Sequence, residues 1–259
     1  MTAVASTTTT AETVRSPRSR FGEVWRITRL HFVNPSIFIG VPWIILGGAL
    51  VVTILLALII RGAGGPIDDV REGFRYSWAV LSPQWYLVVV GVQAVGLTFS
   101  FALGFGATRR DFWLGTSLAF VLVSTEMAIA IATLVQIEQA TNGWFVGAGM
   151  FDALWYGQHG WLFDFYSSFA LEMLVLFIGS SLTTVYMRWR IKGMMTLTGG
   201  SRSCSSSGAI ATATFTGSWP SVFAWLAGIG LTGVFTLLLG LAVVFAIFGY
   251  FVIRRATPR

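Results

Sequence analysis

Three polar side chains stand inside stretches that are otherwise apolar. Glu126 falls near the middle of the run Leu114 to Ile137, Glu172 in the outer third of Phe165 to Met187, and Gln93 in the outer half of Trp85 to Phe105. A charged carboxylate at mid-membrane costs about 3 kcal/mol on insertion scales, so such residues face a cavity or a partner. Two readings stay open. The three residues line a polar translocation path or dimer seam, or each carboxyl is protonated and hydrogen-bonded to a neighbouring helix.

Other chemistry is excluded by what the chain lacks. A phosphate-binding loop needs a lysine after a glycine-rich turn, and the only lysine, Lys192, follows Arg188-Trp189-Arg190-Ile191. Intramembrane proteolysis needs a buried Ser–His pair or paired aspartates, yet no apolar run contains an aspartate. Cys204 is the single cysteine, which rules out an internal disulfide or a thiolate cluster. His31 and His159 lie far apart, and Asp152, His159 and Asp164 match no metal-ligand spacing. The chain is expected to be no enzyme and to hold no cofactor or metal of its own.

These residues are carried by a membrane architecture. Hydrophobic residues make up 55% of 259 positions and charged residues 11%, whereas a soluble domain needs roughly 25% charge. Crossing about 30 Å of hydrocarbon takes about 20 apolar residues. Ile37 to Ile60, Trp85 to Phe105, Leu114 to Ile137, Phe165 to Met187 and Leu231 to Ile253 qualify. Gly193 to Phe215 is long enough but poor in large apolar residues, and it is counted as the fifth of six spans. Residues 1–20 read as a disordered basic tail, 21–36 as an amphipathic interfacial helix and 37–259 as the six-span domain. In that first helix Phe21, Val24, Trp25, Thr28 and Phe32 recur at helical spacing, opposite Arg26 and Arg29.

Charge orients the set. With six spans, 13 of the 17 basic residues fall on one side, at Arg15, Arg18, Arg20, Arg26, Arg29, Arg109, Arg110, Arg188, Arg190, Lys192, Arg254, Arg255 and Arg259. The opposite side has Arg61, Arg71 and Arg75, offset by Asp68, Asp69 and Glu72. The positive-inside rule then places both termini in the cytoplasm. The same scatter of charge speaks against a nucleic-acid partner. The arginine-rich, lysine-poor usage fits a bacterial cell membrane. Outside, Trp144, Trp155, Tyr156, Trp161 and Tyr166 are expected to form an aromatic interfacial belt, and Trp219 to Gly230 a short helix dipping into the outer interface.

The stretch Gly104-Phe105-Gly106-Ala107-Thr108-Arg109-Arg110-Asp111-Phe112 closely resembles the first cytoplasmic loop of ABC-2-type permeases, the membrane subunits of bacterial ABC exporters. In that family a G-x-T/S-R-R-x-F/Y segment joins the second and third spans. The order of an amphipathic helix, six spans and a dipping external helix is also similar, over roughly Phe21 to Arg255. The resemblance implies a homodimer or heterodimer of permeases bound to separate ATPase subunits, with ATP and magnesium in the partner. It makes Thr108, Arg109, Arg110, Asp111 and Phe112 an ATPase-coupling turn. On the residues alone, Arg109 and Arg110 could equally serve only as orientation signals. The polar run Gly199 to Gly208, with Arg202 inside it, departs from the family's plain fifth helix. Two other classes stay open: a proton- or ion-coupled secondary transporter built on Glu126 and Glu172, and a non-transporting membrane scaffold.

Overall fold

A computed structural model describes residues 20–199 and 219–255. Every regular element in that part is helical, as hydrocarbon demands of a chain that must satisfy its own backbone polar groups. Helix α1 (Arg20–His31) leads through a π-turn at Ser36–Gly40 into α2 (Val41–Gly62), which has a proline in its first turn. Helix α3 (Ile67–Phe74) follows Pro66 and opens on Asp68 and Asp69, which complement the positive end of its dipole. Helix α4 (Ser82–Gly96) breaks at Leu97 and resumes as α5 (Phe99–Gly104). Helix α6 (Arg109–Ala140) ends at Asn142, which adopts the left-handed conformation common after a helix. Helix α7 (Trp161–Gly199) departs from helical geometry at Arg190, and α8 (Trp219–Ile253) at Gly230.

Five segments are long and apolar enough to cross a bilayer: Ser36–Gly62, Ala79–Gly104, Arg109–Ala140, Trp161–Arg190 and Ala224–Ile253. They contain four of the five runs assigned from the sequence, and the remaining run, Trp85 to Phe105, passes its segment's end by one residue. The expected fifth span, Gly193 to Phe215, begins as a continuation of α7 to Gly199. Residues 200–218, with Arg202 and Cys204, lie outside the described residues. The break at Gly230 (φ 69°, ψ 175°) falls where the expected dipping helix ends and the last span begins.

Helix α7 is the axis of the bundle, packed on α4, α6 and α8. Its approach to α4 leaves no room for side chains. A Cβ on Gly179 would collide with the carbonyl oxygen of Val88, and one on Gly91 with that of Leu176. Small residues let membrane helices touch in this way, since lipid supplies no hydrophobic drive to bring them together. Helices α7 and α8 run in the same direction. The Tyr166 and Thr236 hydroxyls meet at 2.9 Å, and further along Ser181 Oγ donates to the Phe245 carbonyl at 2.8 Å.

The first helix and the aromatic cluster after α6 each bury only part of their apolar surface. In α1 the buried residues are Ile27, Thr28 and His31, which pack on α6, while Phe21 and Trp25 stay exposed. Thr28 Oγ1 donates to the Gly115 carbonyl at 3.1 Å. Gly115 admits the helix because a Cβ there would stand 2.7 Å from Ile27. The aromatic cluster after α6 is likewise no simple belt. Tyr156 is 1% exposed, and Trp155 packs on Phe235 of α8 at 5.2 Å between ring centroids. The sequence showed aromatic content, but only the folded loop could show which rings turn inward.

Gly179→Ala should therefore lower the thermal unfolding midpoint of the purified protein, costing up to about 3 kcal/mol by overpacking against an unyielding backbone. Gly240→Ala, where nothing lies within 4 Å, should be neutral or slightly stabilising. A fluorescence-detected unfolding scan of both variants checks the contrast.

Candidate functional site

The turn between α5 and α6 is built by a reciprocal cap. Thr108 Oγ1 accepts from the Asp111 backbone N–H at 3.1 Å and meets Asp111 Oδ2 at 2.6 Å. Arg109 Nη1 donates to the Arg254 carbonyl at 2.9 Å, tying the turn to the end of α8. Arg26 of α1 reaches the Phe105 carbonyl at 3.4 Å and pairs with Glu23 at 3.0 Å. The first helix, the turn and the end of the last helix thus share one face. Arg110 is exposed on it. Phe112 is not: it is 0% exposed and packs edge-on against Phe99 at 5.2 Å between centroids. Its role is to anchor the turn in the core, a correction to its expected place on a docking surface.

His31 sits beside Phe112 and Phe38. Its Nε2 lies 2.9 Å from Thr116 Oγ1, whose own proton goes to the Phe112 carbonyl. The ring nitrogen must then be the donor, which leaves Nδ1 as a buried acceptor with no partner. Burial lowers the imidazole from its usual 6.5 to about 4.

On the opposite face, the 63–78 and 141–160 segments fold together into a cap. Glu138, at the end of α6, is 1% exposed. Its carboxylate accepts from the backbone N–H groups of Met150, Phe151 and Asp152, at 2.7 to 3.1 Å, and from Trp144 Nε1 at 2.8 Å. Sequence reasoning passed over this residue, although its place at the end of a long apolar helix was the available signal. Asp152 also takes Gln139 Nε2 at 3.0 Å and Arg71 Nη2 at 3.4 Å. Leu154 N–H bonds the Arg75 carbonyl at 2.9 Å, closing one segment on the other. Between them lies a cavity of ≈ 600 Å³ lined by Asp68, Arg71, Glu72, Arg75, Asp152 and Tyr156, among others. His159 is exposed and stacks near Phe163, while Asp164 Oδ1 accepts from Gly157 N–H at 3.0 Å. Asp152, His159 and Asp164 converge on no metal site among the described residues.

The structure brings Glu126 and Glu172 together. They come from α6 and α7, within range for the charge of one to bear on the other. Trp43 Nε1, from α2, donates to Glu126 Oε1 at 2.7 Å. Glu126 Oε2 and both oxygens of Glu172 are buried without a hydrogen-bond partner. Tyr156 lies close above them, its hydroxyl taking a hydrogen bond from Ser168 at 3.1 Å. Burial pushes the Tyr156 phenol well above its usual range, a shift to which the nearby Glu172 charge adds. Gln93 is elsewhere. It lines a groove of ≈ 240 Å³ with His31, Asn34, Phe38 and Phe101, and neither glutamate reaches that groove.

Apolar helices of spanning length, a polar cap at one face and a basic capped turn at the other define a multi-pass helical membrane protein. Compared with family models, curated proteins and solved structures, the chain finds no match.

Two outcomes follow from these contacts. Glu138→Ala would orphan three buried backbone donors, at about 1–3 kcal/mol each. Amide exchange at Met150, Phe151 and Asp152 should then rise well before the bundle unfolds, and Glu138→Gln should be milder. For His31 the folded pKa lies below the unfolded one, so the unfolded chain binds more protons between about 4 and 6.5. This group's contribution is therefore intact above pH 6.5 and is lost as pH falls toward 4. A melting-temperature series should show that acid slope, reduced in His31→Gln.

Proposed function

We propose that the chain is the membrane permease subunit of an ATP-driven exporter of the ABC-2 type, forming the translocation path and working with a separate ATPase. One observation carries this reading. The Thr108–Phe112 turn, whose sequence resembles the coupling loop of those permeases, is capped, anchored by buried Phe112 and tied to α1 and the end of α8. A push on such a turn passes to several helices at once, which is what a coupling element must do. Arg110 offers the ATPase an exposed charge, and Arg109 transmits through Arg254.

The direction of the helices supports six spans with both termini on one side. Because α7 and α8 are parallel, α7 reaches Arg190 on the face where α8 ends, whereas α8 starts from the opposite face. A fifth span of six is consistent with that arrangement. The basic residues of α1, the turn and the end of α8 make that shared face the cytoplasmic one. The bacterial cell membrane, a second permease copy and ATP with magnesium in the partner belong to the same reading.

A secondary transporter is the second reading, favoured by the buried Glu126–Glu172 pair alone. The two readings separate in one experiment. Arg110→Ala should weaken capture of the partner ATPase, or uncouple its ATP hydrolysis from transport, with folding unchanged. Phe112→Ala should instead cost about 3–5 kcal/mol of stability. Transport by the purified chain alone in liposomes, driven by a proton gradient, would overturn the exporter reading.

A further inference from the structure

We propose that Glu172 is a proton-binding site inside the membrane domain, with Glu126 as its neighbour, and that it exchanges protons with the polar cavity through Tyr156 and Ser168. The inference does not rest on the exporter reading.

The two carboxyls differ in what holds them. Glu126 has the Trp43 indole N–H at 2.7 Å. Glu172 is 0% exposed, and neither of its oxygens has a donor among the described residues. A carboxylate so placed needs a counter-charge. Among the described residues, the surroundings give none. Facing it are Glu126 from α6, Tyr156 from the cap and, two turns back on α7, Asp164. The spans packed against α7 from the other sides carry only Tyr86 and Tyr250 as titratable groups, apart from Arg109, Arg110 and Asp111 at the start of α6 and Glu138 at its end. A metal cation would need several oxygen ligands, and no group of three or more His, Cys, Asp or Glu side chains among the described residues is placed to hold one. A proton needs only the lone pair that Glu172 presents.

A route to that lone pair is in place. Tyr156 lines the ≈ 600 Å³ cavity yet is itself buried, and its hydroxyl is bonded to Ser168. Ser168 and Glu172 are one helical turn apart on the same side of α7, about 5–6 Å between Cβ atoms, a gap that one water or a rotamer change spans. Both hydroxyls can rotate to donate inward. A proton arriving at the Tyr156 oxygen from cavity water releases the phenolic proton to Ser168 Oγ. The Ser168 proton then passes to the Glu172 carboxylate. Each hydroxyl ends with one proton, and the carboxylate has become a carboxylic acid.

The purified protein, in nanodiscs and in whatever assembly it forms, provides the test. Infrared difference spectra between acidic and alkaline buffer should contain the carbonyl band of a buried carboxylic acid. Glu172→Gln should remove that band and Glu126→Gln should keep it. Dicyclohexylcarbodiimide, an apolar reagent for protonated carboxyls, should modify Glu172 in acid and progressively less as pH rises. Tyr156→Phe should slow deuterium exchange of the band by about a hundredfold, as loss of a positioned proton-transfer group does, while leaving its final position unchanged. Should Glu172→Gln fail to fold, the labelling and the Tyr156→Phe rate still decide. A band that survives Glu172→Gln, labelling blocked by sodium ions at constant pH, or an exchange rate indifferent to Tyr156→Phe overturns the proposal.

Discussion

The contact between Gly91 and Gly179 sets the geometry on which the other packing depends. Two helix backbones meet there with no side chain between them. In lipid, apolar side chains gain little by leaving their surroundings, so association relies on close packing and on hydrogen bonds between helices. Both are present along α7. Thr183 Oγ1 reaches the Val92 carbonyl at 3.3 Å, and Ser181 reaches Phe245 on α8. In the fourth span's most apolar stretch 67% of residues are buried, against 17% in the first span's. The first span is mostly surface, and the fourth is the interior.

Polar chemistry is confined to places this packing creates. At one face, Glu138 gathers the backbone of the 150–152 segment in the manner of an anion held by a nest of N–H groups. At the other, the Thr108–Asp111 cap closes α6 while Phe112 fills the space beneath it. Between the faces, Glu172 keeps two unsatisfied oxygens in a protein that satisfies most of its buried groups. Unsatisfied groups of this kind are costly.

How the two ends communicate follows from the same axis. Helix α6 carries the capped turn at one end, Glu126 in the middle and Glu138 at the other. Helix α7 carries Glu172 and Ser168 and packs on α6 along its length. The capped turn and one member of the carboxyl pair therefore sit on a single helix.

Much of this was legible in the sequence, for a physical reason. Spanning length and apolarity are local properties that the bilayer enforces residue by residue, so the five described spans could be read directly. The cap of α6 was equally local, being a threonine three residues before an aspartate. Partners across the bundle were not local. Nothing in the spacing of Glu126 and Glu172, 46 positions apart, says that they meet while Gln93 faces a different groove. Nor does the order of aromatics after α6 reveal that Tyr156 turns inward. The resemblance placed Phe112 in a coupling turn with Arg109 and Arg110, yet one position along a helix rotates a side chain by about 100°, enough to take it from solvent to core. The sequence by itself determined which of the described segments are long and apolar enough to cross and which stretches are basic. Only tertiary packing, through the glycines that let α7 approach α4 and the cap that folds over α6, decided which polar groups face one another.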